Sequence, residues 1–172
     1  MKTFRLALSL SLLLPLAGCG FRLRDALQLP TDLGPVAVTA PDPYSPLAAS
    51  LAHSLENAGA TPAGADAVEQ AAKLEVLSEK WVDIPIAIDN LGRAQEYSLR
   101  YAVVFRLRKG EDNVLVPQQA VELSRDYVAP ASDSIGRNSE RELLVTEMRR
   151  DMAASILRRI EAALRGPKPA AH

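Results

Sequence analysis

Leu99, Tyr101, Val103, Phe105 and Leu107 alternate with Arg100, Ala102, Val104, Arg106 and Arg108. A period of two is the signature of a strand with one face on a core. The first set therefore faces inward and the second set lies on the opposite face. A second alternation follows, with Val121, Leu123 and Tyr127 against Glu122, Ser124 and Asp126, and Lys109–Asn113 reads as the turn between the two strands. Leu74–Ile84 is also β-prone, but Leu74 and Val76 share one face while Leu77 and Trp81 fall on the other. Either both faces are partly covered or a bulge re-registers the strand. Pro85 is expected to end pairing or to mark an edge, and Asp89-Asn90-Leu91-Gly92 is turn chemistry. Val36–Thr39 is a short β-prone run closed off by Pro41, Pro43 and Pro46.

The helical period appears twice. Leu47, Leu51 and Leu55 recur at spacing four, behind Ser45 as N-cap and Pro46 at the first helical position. Gly59 suits the C′ position, so the spacing predicts a helix over Pro46–Asn57, then a loop over Gly59–Ala67. Val145, Met148, Met152, Ile156, Ile160 and Ala163 draw a longer stripe. Ser139 and Glu142 read as a capping box at its start, with Pro130–Gly136 a loop before it and Gly166-Pro167 a stop after it. The element order is β-α-β-β-β-α. It predicts an α+β two-layer sandwich: a four-stranded mixed sheet with two helices on one face. The first two strands are joined by a crossover and the rest form an antiparallel meander. Arg100, Arg106 and Arg108 then lie on a sheet face that nothing in the monomer covers.

The first eighteen residues change the picture. Lys2 and Arg5 precede an almost wholly apolar stretch from Leu6 to Leu16. That is the layout of an export signal, too short for a comfortable membrane span. Leu16-Ala17-Gly18-Cys19 then resembles a bacterial lipobox. Residues 1–18 are expected to be removed, leaving Cys19 to carry a diacylglycerol thioether and an N-acyl chain (palmitate). Several acyl chains on one residue anchor firmly. Gly20 stands where an aspartate resembles an inner-membrane retention signal, which favours the periplasmic side of the outer membrane. Residues 19–35 read as a lipidated tether, 36–165 as one domain, and 166–172 as a disordered tail.

Charge narrows the function further. The formal net charge is −1, and −3 once Lys2 and Arg5 are set aside, which argues against nucleic-acid binding. Cys19–Gly92 holds four basic and ten acidic residues, whereas Arg93–Lys109 holds five basic residues and one acidic. This local excess is either a solvated strand face or an anion site, since guanidinium groups pair bidentately with phosphate. A basic face with Ala102 and Val104 between the arginines suits a phosphorylated lipid, of which lipopolysaccharide is the abundant outer-membrane example. Catalysis and metal binding find little support. Cys19 is the only cysteine, and the histidines are His53, off the leucine stripe of the first helix, and His172, the last residue. Neither a phosphate loop nor a nucleophile elbow is present. No catalytic residue, metal ligand or cofactor is expected.

Three stretches are similar to one family. Cys19-Gly20-Phe21-Arg22-Leu23-Arg24-Asp25 resembles the opening of LptE, the LPS-assembly lipoprotein family. Arg93-Ala94-Gln95-Glu96-Tyr97 resembles that family's entry into the second strand of the meander. Glu140–Met148 with Ile156–Ile160 resembles its last helix. The resemblance runs from the lipobox to about Leu164. It implies a plug or scaffold in a 1:1 complex with the outer-membrane β-barrel LptD, binding of lipopolysaccharide, and a part in its assembly at the outer leaflet. It also implies lipopolysaccharide contacts near the meander's turns, at Arg93 and, more loosely, at Lys109 and Arg125. Arg100 joins them from the basic strand face. Phe21, Arg22, Leu23 and Arg24, directly after the anchor, are expected at the rim between membrane and barrel. Leu91 before Gly92 departs from the family's turn. The competing readings are an auxiliary lipoprotein of an envelope ABC-type lipid-transport complex, a small-molecule or cell-wall binding module, and an enzyme.

Overall fold

The computed structural model of the protein describes residues 33–64, 71–129 and 134–166. Its elements are β1 (Val36–Thr39), α1 (Pro46–Asn57), β2 (Ala72–Ile88), β3 (Ala94–Lys109), β4 (Asn113–Val128) and α2 (Ser134–Arg165). The sheet order is β1-β2-β3-β4. β1 is parallel to β2, and the other neighbours are antiparallel. This is the α+β arrangement that the alternating and helical periods predict. α2 packs on β4 and β3, α1 packs on β1, and the two helices touch each other.

The core lies where the inward set of β3 meets both helical stripes. Leu99, Tyr101, Val103 and Phe105 are fully buried, as are Leu47 and Leu51 of α1 and Met148, Met152 and Ile156 of α2. α1 begins as its sequence dictates. The Ser45 hydroxyl accepts the Ala48 N–H at 3.2 Å, and Gly59 takes a φ of +87° just past the helix end. Ser45 also donates to Glu79 Oε2 at 3.1 Å, tying the cap to β2. Ser45→Ala is expected to cost about 1–2 kcal/mol, the upper part of the range for a lost N-cap. A lowered urea midpoint with an unchanged slope checks it.

The structure decides two open points of the sequence reading and corrects three. The broken alternation of β2 comes from a register shift between Val76 and Ser78, with Leu77 the extra residue. Pro85 does not end pairing: β2 stays paired with β3 as far as Ile88. β1 covers only Ala72–Glu75, so Pro85 sits on the outer edge, where its missing N–H costs no ladder bond. β4 starts at Asn113, ahead of the alternating stretch, and the register shifts around Pro117. An edge strand tolerates both. The capping box at Ser139 and Glu142 is not the start of α2, which begins at Ser134 and places Ser139 inside the helix. A glycine in a helix interior costs only about 1 kcal/mol. One extra turn through Gly136 is therefore affordable once the stripe is docked. Leu33, read as tether, is buried in the core.

One ion pair fastens α2 across the hairpins. Arg141 donates to Asp83 from Nε at 2.9 Å and from Nη2 at 2.8 Å, and the Tyr127 hydroxyl donates to the same carboxylate at 3.0 Å. The Arg141 hydrogen bonds hold Asp83 below its ordinary 3.8, against burial, and Tyr127 helps them. Burial, and then Asp83, push the Tyr127 phenol up to about 12. A depressed carboxylate contributes stability that is complete above its unfolded pKa and is lost as pH falls through the folded one. Both partners are about a third exposed, so Arg141→Ala should cost only about 1–2 kcal/mol at neutral pH. It should also flatten the acid limb below about pH 4. Urea melts across that window check both effects.

Candidate ligand-binding face

The two helices cover the inward face of the sheet, and no described element covers the outward face. Lys73 and Glu75 of β2 stand there opposite Arg108 and Arg106 of β3. Glu75 bonds both arginines. Arg106 Nε donates to one carboxylate oxygen, and Arg108 Nε donates to the other at 2.8 Å. Arg108 Nη1 also donates to the Gly110 carbonyl at 3.1 Å. Burial pushes the Glu75 carboxyl up. The hydrogen bonds and charges of the two arginines outweigh it and hold the group below its ordinary range. One carboxylate thus sits among three cations, which leaves a net positive patch beside half-buried Ala102 and Val104.

The predicted contact residues do not gather in one place. Arg93 is at the β2–β3 turn, which Asp89 organises. Asp89 Oδ1 accepts the Leu91 and Arg93 N–H groups at 2.9 Å, and Oδ2 accepts Arg93 Nε at 2.7 Å and Gln95 Nε2 at 3.1 Å. The Arg93 backbone N–H comes first among the causes that draw the Asp89 carboxyl down to about 2. The Arg93 side chain stays 57% exposed. Arg100 is on the outward face, 3.5 Å from Glu122. Lys109 ends β3, roughly 50 Å from the Arg93 turn at the rise of an extended strand, and approaches Gly34. Arg125 is on the other side of the sheet. It stands opposite Leu99 of the core and pairs with Asp151 of α2 at 3.0 Å. Cys19, Phe21, Arg22, Leu23 and Arg24 lie outside the described residues.

Two features escaped the sequence reading. Lys73 and Glu75 belong to the basic patch, but their pairing with β3 spans more than thirty residues and no local pattern reveals it. An apolar group also crowds the β2–β3 end of the sheet: Val82, Ile86, Ile88, Leu91 and Val128 are each half-exposed or more. Ending the β-prone stretch at Ile84 hid this extension. Its only signal was the run of isoleucines at positions 84, 86 and 88. Among the described residues, no group of three or more His, Cys, Asp or Glu is placed to hold a metal, and no helix is long and apolar enough to cross a membrane.

A profile described as LptE, lipopolysaccharide-assembly, matches residues 33–160, from Leu33, buried in the core, to Ile160, the last fully buried residue described in α2. The chain belongs to the LptE family. An LPS-assembly lipoprotein LptE of Yersinia pestis is 30% identical over 145 residues, covering 84% of this chain and 69% of its own. One of Pectobacterium atrosepticum is 26% identical over 160 residues, 92% of this chain and 85% of its own. In three dimensions the chain resembles an uncharacterized lipoprotein B of Nitrosomonas europaea solved by NMR. The TM-score is 0.68 at 24% identity, over 83% of this chain and 91% of that one, a likeness of fold alone. An LptE-family chain is thus built with its helices on one side of the sheet and a basic patch on the other.

Proposed function

We propose that this LptE-family chain is an outer-membrane lipoprotein, anchored through acyl chains on Cys19 and facing the periplasm. In this reading it forms a 1:1 plug or scaffold with the barrel LptD and binds lipopolysaccharide, with no catalytic step of its own. The observation that carries the ligand reading is the open sheet face: Lys73, Arg106 and Arg108 around a single carboxylate, with the small apolar side chains of Val104 and Ala102 next along the strand. Phosphates suit the guanidinium groups. Val104 and Ala102, next along the same face, suit the acyl or sugar part. Arg100 lies further along that face, whereas Arg125 is committed to α2. The segment Phe21–Arg24 joins the anchor to the domain and belongs at the barrel rim.

The test is a mild-detergent pull-down of the tagged, lipidated protein, with partners identified by mass and lipopolysaccharide measured in the eluate. A one-to-one complex with a large outer-membrane barrel supports the reading. Inner-membrane transporter components in its place overturn it in favour of an ABC-type auxiliary lipoprotein. Cys19→Ala should abolish acylation and release the protein from membranes; retention of the unacylated variant overturns the anchor.

A further inference from the structure

On the helix side of the sheet, the loop between β1 and α1, the middle of β2 and α2 enclose an open cleft of about 480 Å³. Nothing in the ligand reading uses it. Pro41, Asp42, Leu77, Trp81 and Arg149 line it. β1 pairs with β2 only from Ala72 to Glu75, yet β2 runs on to Ile88. Past the Leu77 bulge, no described strand pairs with its outer edge. Pro85 ends the stretch that can donate hydrogen bonds, which leaves Ser78–Ile84 as an open edge. Such an edge presents unpaired N–H and C=O groups, and an extended segment from another chain can add to it.

Arg149 supplies the second observation. Its Nε is buried without an acceptor among the described residues, and its guanidinium carbon lies 5.6 Å from the Trp81 ring centre. A buried charged donor without an acceptor is costly. The surroundings are fixed in place. Trp81 stacks on Tyr101 with ring centres 3.7 Å apart and planes 7° apart. The Tyr101 hydroxyl donates to Glu79 Oε1 at 2.7 Å, and Ser45 donates to the other oxygen. Burial first, then Glu79, drive the Tyr101 phenol well above its ordinary range, so it stays a donor. Glu79 is thus spent on two hydroxyls and forms no ion pair with Arg149. Asp42 accepts the Tyr44 N–H at 2.9 Å.

We propose that an extended segment of a partner polypeptide adds to the outer edge of β2 at Ser78–Ile84 and sets one carboxylate on Arg149. An acyl chain has nothing to pair with the edge, and a lone phosphate engages only Arg149. β1 begins at Val36, beside Ala72 and several residues ahead of this stretch. Asp42 lines the same cleft, so the segment carries a single acidic residue with neutral or basic neighbours. Trp81 and Leu77 receive an apolar side chain beside it. This site is on the opposite side of the sheet from the basic face and does not depend on that face's ligand.

Trp81 is the only tryptophan in the chain, so its emission reports on the cleft directly. The probe is a capped seven-residue peptide of threonine and valine with a central glutamate, titrated into the full-length lipidated protein in detergent. A saturable change in emission is expected. The same peptide with a central glutamine should bind roughly tenfold weaker, the loss of one charged hydrogen bond. A version with alternate backbone amides N-methylated should not bind. Arg149→Gln should make the glutamate and glutamine peptides equal, and Arg149→Lys should restore part of the difference. If Arg149→Gln fails to fold by circular dichroism, the three peptides on the unaltered protein decide alone. No saturable change overturns the proposal, as does equal binding of the glutamate and glutamine peptides. Undiminished binding of the N-methylated peptide also overturns it. So does an equal response to inorganic phosphate, which makes the cleft a simple anion pocket.

Discussion

Replacing Arg106 and Arg108 together by glutamate is expected to weaken lipopolysaccharide binding by at least about tenfold at low salt. Each hydrogen bond to a charged group contributes about 1.5–3 kcal/mol where it forms. The reversal also sets two new anions beside Glu75, on a face that would meet phosphate. The deficit should grow as salt is lowered, since exposed charges are screened over roughly 8–10 Å at physiological ionic strength. Glu75→Gln gives the opposite sign. It removes the carboxylate that both arginines now bond, frees them for an external anion, and should tighten binding severalfold. A titration of labelled lipopolysaccharide at two salt concentrations measures both variants. If the double reversal binds as tightly as the unaltered protein, the basic strand face is a solubility feature. If Glu75→Gln weakens binding, the carboxylate orients the arginines rather than competing for them.

The contrast between these two variants shows what a sequence can and cannot reveal. The alternation through β3 marks Arg106 and Arg108 as outward because inward and outward positions are set by the pleat alone. The same rule places Leu99 to Leu107 in the core. The N-cap at Ser45 and the leucines of α1 are equally local, and the observed helix has the bounds that their spacing predicts. Glu75 is different. Its role depends on the register between β2 and β3, which joins residues about thirty positions apart, and the bulge at Leu77 scrambles the pattern from which that register would be read. Arg125 shows the same limit from the other side. It sits among the polar residues of an alternating strand, but its own parity is that of Val121, Leu123 and Tyr127, so it faces α2 and finds Asp151. The start of α2 was hidden because Gly136 looks like a loop residue until the packing of the whole helix is counted. The unmatched Nε of Arg149 arises where three elements converge, and no segment of the chain carries that information.

Phe105→Ala is expected to have the largest effect on the domain itself. Phe105 is fully buried at mid-strand in β3, between Val76 and Gln119 on its neighbours. Removing a buried aromatic costs about 3–5 kcal/mol through lost transfer energy and the cavity left behind. Domains of this size are stable by about 5–15 kcal/mol, so the variant stands near the edge of folding. Its melting temperature should fall by roughly 10 °C or more. Val104→Ala, one residue away, is the informative partner. Val104 points to the outward face and is only half-buried, so its truncation should cost under about 1 kcal/mol in the isolated protein. Urea melts of the two variants measure the asymmetry between the faces. A Val104→Ala cost close to that of Phe105→Ala would mean that the outward face is packed in the free protein, leaving no open surface there for a phosphorylated lipid. A small cost in isolation, together with weakened lipopolysaccharide binding, would mean instead that Val104 does its packing against the ligand.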